Sequence, residues 1–450
     1  MEQFDVVVIG GGVLGCFTAR ELRRWRLSVA LVEAADDVCT GITRANSAIV
    51  YAGYDNQVGS LKARLTVQGN GAMGQLCQEL DVPFSRCGSL LVATDRETTA
   101  MLEKKLRHGV ENGVPQLRLL SGEEARSMEP MLSDRVLAAL YAPSTGTVNP
   151  WQLGIAAFEN AVHNGCEPFF RTRVLGIRKT EGGYLVETDR TAFSCRAIIN
   201  CAGLAADRIQ ELLFVPSVRL RLDAADYLVL DRLASKPDRV IFHQSSVCGK
   251  GITAIPTTEG NLLLSGVRRP LTTPFATTAE GLRHLHADAN RLLPEVDLTK
   301  VIRSFGAVRP NPYRVVERDG QWVPDGSSIG SFCVEHPDRG FFSLMGIKTP
   351  GLTCARELGY LAASRCAREL GAESNPRFDP IRKLRVHTGG EILCRCEQIT
   401  KAAVLDAISR GASTADGVKR RVGSGMGRCQ GSRCSHEIEQ LLEAYRHGAV

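Results

Sequence analysis

Several things are missing from this chain of 450 residues. No run approaches the roughly 18 consecutive apolar residues that a membrane span needs. The first strand is expected from Phe4, which leaves no room for a charged segment and an apolar leader. The chain is therefore expected in the cytoplasm, with no transmembrane segment and at most peripheral contact with a membrane. Low-complexity tracts and fixed-period repeats are absent, which excludes a repeat array. A disulfide framework is absent too, because the 15 cysteines are odd in number, irregularly spaced and not preceded by a secretory signal. Most are expected to be reduced thiols in the core. The last four, Cys394, Cys396, Cys429 and Cys434, lie instead in a segment rich in glycine and arginine.

At this length one hydrophobic core does not suffice, and two or three are expected. The opening reads as a βαβ unit: an apolar β-branched run Phe4 to Ile9, helical spacing from Val13 to Trp25, and a second short run Leu27 to Glu33. Further strands are expected at Tyr184 to Thr188, Ala197 to Cys201, Tyr227 to Leu230 and Gly260 to Ser265, with a helix after Pro350-Gly351. The pattern implies an α/β fold: a Rossmann-like cofactor domain interrupted by a β-rich substrate domain, plus a small helical domain. The expected boundaries are 1–375 for the large unit, with cofactor-binding parts at about 1–80, 145–215 and 330–370 and substrate parts at about 81–144 and 216–329. A linker is expected over 376–390, where Asn375-Pro376 and Asp379-Pro380 break the periodicity. In the tail, 391–450, Thr400 can cap a helix that stops at Gly411, Ser413 or Thr414 a second that ends near Gly423, and Ser435 a third.

Gly10-Gly11-Gly12-Val13-Leu14-Gly15 supplies GxGxxG between the first strand and helix. Gly10 permits the tight turn, Gly12 the approach of a pyrophosphate to the backbone, and Gly15 close packing of helix on strand, while the helix N-terminus faces phosphate charge. Glu33 follows at the end of the second strand, where a carboxylate bonds a ribose hydroxyl and disfavours a 2′-phosphate. The motif does not separate FAD from NAD.

The second motif is Cys394-Arg395-Cys396, then Cys429-Gln430-Gly431-Ser432-Arg433-Cys434. Four thiolates in two close pairs can hold a [2Fe-2S] cluster, with Gly423, Gly425, Gly427 and Gly431 leaving backbone N–H groups free for the sulfurs. Zinc is the competing reading, but zinc pairs are usually spaced by two to four residues, so CxC favours the cluster. From Pro380 onward 12 Lys and Arg face 7 Asp and Glu, so most of the chain's net charge of +6 sits in the tail. That charge suits an anionic cluster and an acidic redox partner better than nucleic acid, for which no reading motif is present. A flavin takes electrons in pairs and such a cluster passes them singly, which points to a dehydrogenase with a separate acceptor.

The sequence resembles the FAD-dependent glycerol-3-phosphate dehydrogenase family of the D-amino-acid-oxidase-like superfamily, which also holds 2-hydroxyglutarate dehydrogenases. The likeness runs over nearly the whole chain, through Asp5 to Gly10, Thr43-Arg44-Ala45-Asn46-Ser47-Ala48-Ile49, Ala52-Gly53-Tyr54-Asp55, Gly59 to Ala63, Cys201-Ala202-Gly203 and Gly346-Ile347-Lys348-Thr349-Pro350-Gly351-Leu352-Thr353. The tail resembles the bacterioferritin-associated-ferredoxin-like [2Fe-2S] domain. The resemblance selects FAD. It implies that Thr43, Arg44, Asn46 and Ser47 line the flavin and that Val174 lies by the adenine. It further implies that Ala202 and Gly203 pack on the cofactor, that Gly346 contacts it, and that Gly351 to Thr353 begin a helix aimed at the flavin pyrimidine.

One departure is chemical. Where the family typically places a histidine before Ala-Gly, this sequence has Tyr51. Removing a hydroxyl proton suits an imidazole near pKa 6.5 better than a phenol near 10. Tyr51 is thus expected to orient substrate or to pack beside the flavin, and to act as base only with a much lowered pKa. Leu222 to Tyr227 and Gly266 to Arg269 also depart from the family pattern. Lys250 and Arg309 match family positions that bind substrate or approach the flavin, and suit an anionic substrate. Lys348 and Arg268 are weaker candidates, read more readily as solvated surface charges. The leading expectation is oxidation of glycerol 3-phosphate or a relative, with electrons passing through the cluster to a second redox subunit. Two alternatives remain: a 2-hydroxy acid or amino or imino acid dehydrogenase, and a non-catalytic electron-relay subunit.

Overall fold

The computed structural model describes residues 1–232, 235–245, 249–384 and 389–448, without the side chains of residues 245, 249 and 250. The expected linker falls partly on 385–388, which lie outside the described residues.

The apolar run at the N-terminus forms the strand Glu2–Ile9 at the centre of an eight-stranded sheet. Successive side chains of a strand point to opposite faces, and here both faces are buried. Val6 and Val8 enter one core with the helices Val13–Leu22, Pro150–His163 and Ala355–Glu369, while Val7 and Ile9 enter the other. Val29–Val32 pairs parallel on one side and Ala192–Asn200 on the other, with Ile9 opposite both Val32 and Asn200. All the strand ends that carry the glycine turn therefore stop at one level, as a dinucleotide-binding sheet requires. Phe341–Met345 pairs parallel beside the end of Ala192–Asn200.

A second sheet of nine strands draws on 89–142 and 218–324. It is antiparallel except where Val240–Ser245 runs parallel to Ser89–Ala93. One face packs on the helix Ala279–Leu292; the other packs on Ile49, Tyr51 and Tyr54 and so faces the first sheet.

The tail forms its own small core around Leu393, Val404, Val418, Ile438 and Leu442. Thr400 caps Lys401–Ser409 through Ala403 N, and Thr414 caps Ala415–Val422 through Gly417 N, with Gly423 left-handed at its end. The third helix corrects the expectation: Ser435 is its first residue and Cys434 its cap, without a side-chain bond. The stretch after Pro350 differs as well. Residues 350–354 form a turn closed by Cys354 N–H donating to Pro350 O (3.2 Å), and the helix starts only at Ala355.

Up to residue 384 the chain is pinned to the large unit. Asn375 N–H donates to Arg24 O (2.7 Å) and Arg382 binds the Glu159 carboxylate (2.7 Å). The tail docks through a buried ion-pair cluster: Arg421 donates to both oxygens of Asp37 (2.7 and 3.0 Å), Arg420 to one (2.9 Å), and Arg410 to Glu159 (2.6 Å). Burial alone would raise the Asp37 carboxyl; the two guanidiniums hold it below its ordinary value. No helix among the described residues is long and apolar enough to cross a membrane.

Candidate functional site

Between the two sheets lies a cavity of about 1090 Å³. That is at or above the upper end of the usual range for small-molecule sites, about 300–1,000 Å³, and suits a long cofactor with a small substrate beside it.

One end is made of backbone. Gly10 has φ of 102°, and a Cβ there would lie 2.6 Å from Cys201 O; a Cβ on Gly15 would lie 1.8 Å from Gly10 O. Both positions admit only glycine, and both keep strand and helix close enough for the first helical turn to face the cavity. The helix starts at Gly12, whose missing side chain leaves the first turn without a side-chain cap. Val13 N–H donates to Thr43 Oγ1 (3.0 Å). Glu33 accepts from Gly11 N (2.6 Å) and Ala35 N (2.7 Å), which fixes the carboxylate at the cavity edge with lone pairs to spare. This cradle fits the adenosine and pyrophosphate of a dinucleotide.

Of the residues singled out from the sequence, Gly10, Gly12, Val13, Leu14, Glu33, Thr43, Asn46, Ser47, Tyr51, Ala202, Gly203, Arg309, Gly351 and Leu352 line this one cavity. Others act from behind it. Gly15 packs beneath Gly10. Thr353 is buried and accepts from Tyr51 N (3.0 Å), behind the 43–48 turn that the lining residue Asn46 closes through Thr43 O and Ala48 N. Gly346, left-handed at φ 58°, turns against Pro312. Arg44 lies over the Phe275 ring, 5.1 Å from its centroid. Val174 is partly buried and packs against the core that holds Val7 and Ile9, as does the cavity-lining Ala202. The side chain of Lys250 lies outside the described residues.

The other end of the cavity is made of side chains from distant strands. Arg309 donates to Thr349 Oγ1 at a long 3.4 Å, and its Nε is buried without a partner. Burial, then the neighbouring Arg268, push its guanidinium down to about 10. Lys348 Nζ donates to Ser328 Oγ (2.9 Å) and Asn311 Oδ1 (3.1 Å), and burial with Arg309, Lys62 and Arg268 pushes it down to about 8. Lys348 is thus a half-buried cavity residue, and the surface-charge reading of it is corrected. Arg268 is exposed but also lines the cavity, as do Asp223 and Tyr227. Arg269, by contrast, is committed to Asp226 through two bonds of 2.6 and 2.8 Å. Both stretches that depart from the family pattern, 222–227 and 266–269, therefore wall this end. A buried donor lacking a partner is costly, so the Arg309 Nε calls for an acceptor on a bound group.

Tyr51 sits between the two ends, its ring 5.8 Å from that of Phe242. Burial raises its phenol, against the opposing pull of Ser47 and Arg309. That direction is opposite to the one a base role demands. Tyr227, which sequence reasoning does not single out, stacks on Phe305 at 4.7 Å, and burial pushes it up to about 12. Its only signal in the sequence is its place at the end of the departing 222–227 stretch.

In the tail the four cysteines approach in pairs. Cys396 Sγ lies 3.4 Å from Cys429 Sγ, and Cys434 neighbours Cys394, to which Gly425 N–H donates at 3.5 Å. Burial and then the Cys394 thiol push Cys434 up to about 11, and the Cys429 contact raises Cys396. Thiols so close ionise together only around positive charge, which is what iron supplies. Among the described residues no group of three metal donors converges as a single-ion site. Two pairs fit a centre of two irons.

The family model for FAD dependent oxidoreductases (DAO) matches residues 5–365, and that for the BFD-like [2Fe-2S] binding domain matches 392–444. A glycerol 3-phosphate dehydrogenase of Caloramator mitchellensis is 37% identical over 465 aligned positions, covering 98% of this chain and 94% of the relative. Human mitochondrial L-2-hydroxyglutarate dehydrogenase is 32% identical over 51% of this chain and 52% of its own. The FAD-bound L-α-glycerophosphate oxidase of Mycoplasma pneumoniae shares the fold, with a TM-score of 0.77 at 24% identity over 86% of this chain and all of that one. The glycine cradle and the paired thiols thus have their occupants, FAD and a [2Fe-2S] cluster, and the chain belongs to the FAD-dependent oxidoreductase family with a BFD-like [2Fe-2S] domain at its C-terminus.

Proposed function

We propose that the chain is a dehydrogenase of a small anionic secondary alcohol, glycerol 3-phosphate or a close relative. In this reading bound FAD supplies the hydride acceptor and the [2Fe-2S] centre the exit for single electrons to a partner protein. The observation that carries it is the cationic end of the cavity: Arg309 with an unpartnered buried Nε, beside Lys348 and Arg268. Arg309 binds the anionic group through its planar fork, and Lys348 adds charge from a position fixed by Ser328 and Asn311. Tyr51 donates to a substrate oxygen and excludes water with Tyr227. Lys250 is assigned a substrate contact by its place in Gly249-Lys250-Gly251 alone. The domain division at 1–375, 376–390 and 391–450, with substrate parts at 81–144 and 216–329, belongs to the same reading.

The 37% identical relative supports glycerol 3-phosphate over a 2-hydroxy acid, because its likeness covers nearly the whole chain. The test is anaerobic mixing of the holoprotein with glycerol 3-phosphate, L-2-hydroxyglutarate and a set of amino acids, followed at the flavin absorption. Bleaching by glycerol 3-phosphate is expected. Bleaching by amino acids alone would overturn the proposal, and no bleaching except in a larger assembly would favour a relay subunit.

A further inference from the structure

Three of the four cluster cysteines follow directly on an arginine: Arg395-Cys396, Arg428-Cys429 and Arg433-Cys434. The sulfur pairing brings the backbones of these three arginines to one centre, since Cys396 touches Cys429 and Cys434 neighbours Cys394. All three arginines are exposed, and none makes an ion pair among the described residues. The other cations of the tail sort differently. Arg382, Arg410, Arg420 and Arg421 bind Glu159 or Asp37 of the large unit, and Lys383 and Lys401 pair with Asp379 and Glu391. Lys419 is half-buried near Arg303, and Arg446 lies at the far end of the last helix.

The centre itself is asymmetric. Cys394 and Cys434 are buried at 1% and 2% exposure, whereas Cys396 and Cys429 are partly exposed. Residues next to this open pair are tied to the large unit: Glu397 accepts from Arg232 (2.8 Å) and Gln430 from Arg303 (3.2 Å). Docking on the large unit thus engages four of the tail's arginines and leaves Arg395, Arg428 and Arg433 as an exposed cationic rim beside the open sulfurs. Such a rim raises encounter rates with an oppositely charged partner.

We infer that the face formed by Arg395, Arg428 and Arg433 around Cys396 and Cys429 is the docking site for an acidic one-electron carrier protein. The inference deepens the proposed function by naming the class of its acceptor, and it rests on that reading. Each substrate oxidation releases two electrons, so two carrier molecules, or one carrier visiting twice, are reduced by one electron each while the protons go to solvent.

The test is binding of the holoprotein to an acidic [2Fe-2S] ferredoxin by biolayer interferometry at low and high salt. A basic cytochrome c and anionic phosphatidylglycerol vesicles serve as parallel probes, and the triple variant R395Q/R428Q/R433Q is run beside the native chain. Iron content, sulfide content and substrate bleaching of the flavin are expected to be unchanged in the variant, which establishes that it is folded and loaded. The ferredoxin is expected to bind the native chain about tenfold more weakly at high salt, and the variant about tenfold more weakly at low salt with little further salt effect. Equal affinity of native and variant chains, preference for the basic cytochrome, or binding to vesicles in place of the ferredoxin would each overturn the inference. Failure of the underlying reading shows separately: the cluster would stay oxidised in EPR after substrate has bleached the flavin, whatever the binding result.

Discussion

The two cofactor sites of this chain are built from opposite materials. The dinucleotide end of the cavity is backbone: a left-handed glycine, an uncapped helix start and a carboxylate held by two amides. The cluster site is side chain, four thiols on a module whose core is small. The difference teaches where each region gets its stability. The large unit has several extensive cores that shape its cradle from packed backbone, whereas a module of about 60 residues is near the limit for folding without a metal.

The largest effect is expected from Cys429→Ser, which removes one ligand. Iron and sulfide should be lost entirely and the tail cleaved by protease beyond residue 384, while FAD content stays near that of the native chain. Mass spectrometry of limited digests with iron analysis checks this, and concerted loss of FAD would erase the contrast between the regions. Gly15→Val is the mirror experiment. A side chain 1.8 Å from Gly10 O should cost about 2–4 kcal/mol and abolish FAD retention, with the iron content of the folded fraction unchanged.

Between the two lies the clamp. Asp37→Asn leaves Arg420 and Arg421 buried and unpaired, and should weaken docking of the tail by about 3–5 kcal/mol, read as faster amide exchange in 415–422. The pH dependence has a definite sign. The Asp37 pKa is depressed on folding from the ordinary 3.8, so the clamp's contribution is full above that value and is lost as pH falls through the lower, folded one.

Sites contiguous along the chain are legible in the sequence itself, as the glycine turn with Glu33 and the two cysteine pairs are. The first strand, the glycine-terminated helix ends and two of the three tail caps are legible for the same reason. The substrate end is not. Arg309 comes beside Asp223 and Tyr227 only because strands 218–230 and 301–318 pair, and Lys348 joins them from the turn after Phe341–Met345 through Asn311; no local pattern encodes either approach. A single lysine in sequence carries no sign of burial, so Lys348 reads there as a surface charge. The helix expected at Gly351 starts four residues later, because after the turn that Cys354 N–H closes on Pro350 O, Ala355 N–H bonds Leu352 O three residues back (3.3 Å) and the regular ladder begins only beyond it.

Smaller effects sharpen this side-chain end. Arg309→Met should raise KM for the anionic substrate about 10- to 100-fold with a lesser change in kcat, the loss expected for a charge-assisted pair. Lys348 is an ammonium below its pKa of about 8 and neutral above it, so KM should rise severalfold as pH passes upward through that value. In Lys348→Arg the charge persists and the rise should vanish; an unchanged profile would remove Lys348 from anion binding.

The central claim is that flavin and iron sulfide reside on the same chain and exchange electrons. Metal and sulfide analysis of anaerobically purified protein, followed by EPR after addition of glycerol 3-phosphate, tests it most directly. The account predicts two irons and two sulfides per flavin and a reduced-cluster signal that grows as the flavin bleaches. Zinc in place of iron, or a bleached flavin beside a permanently oxidised cluster, would contradict it.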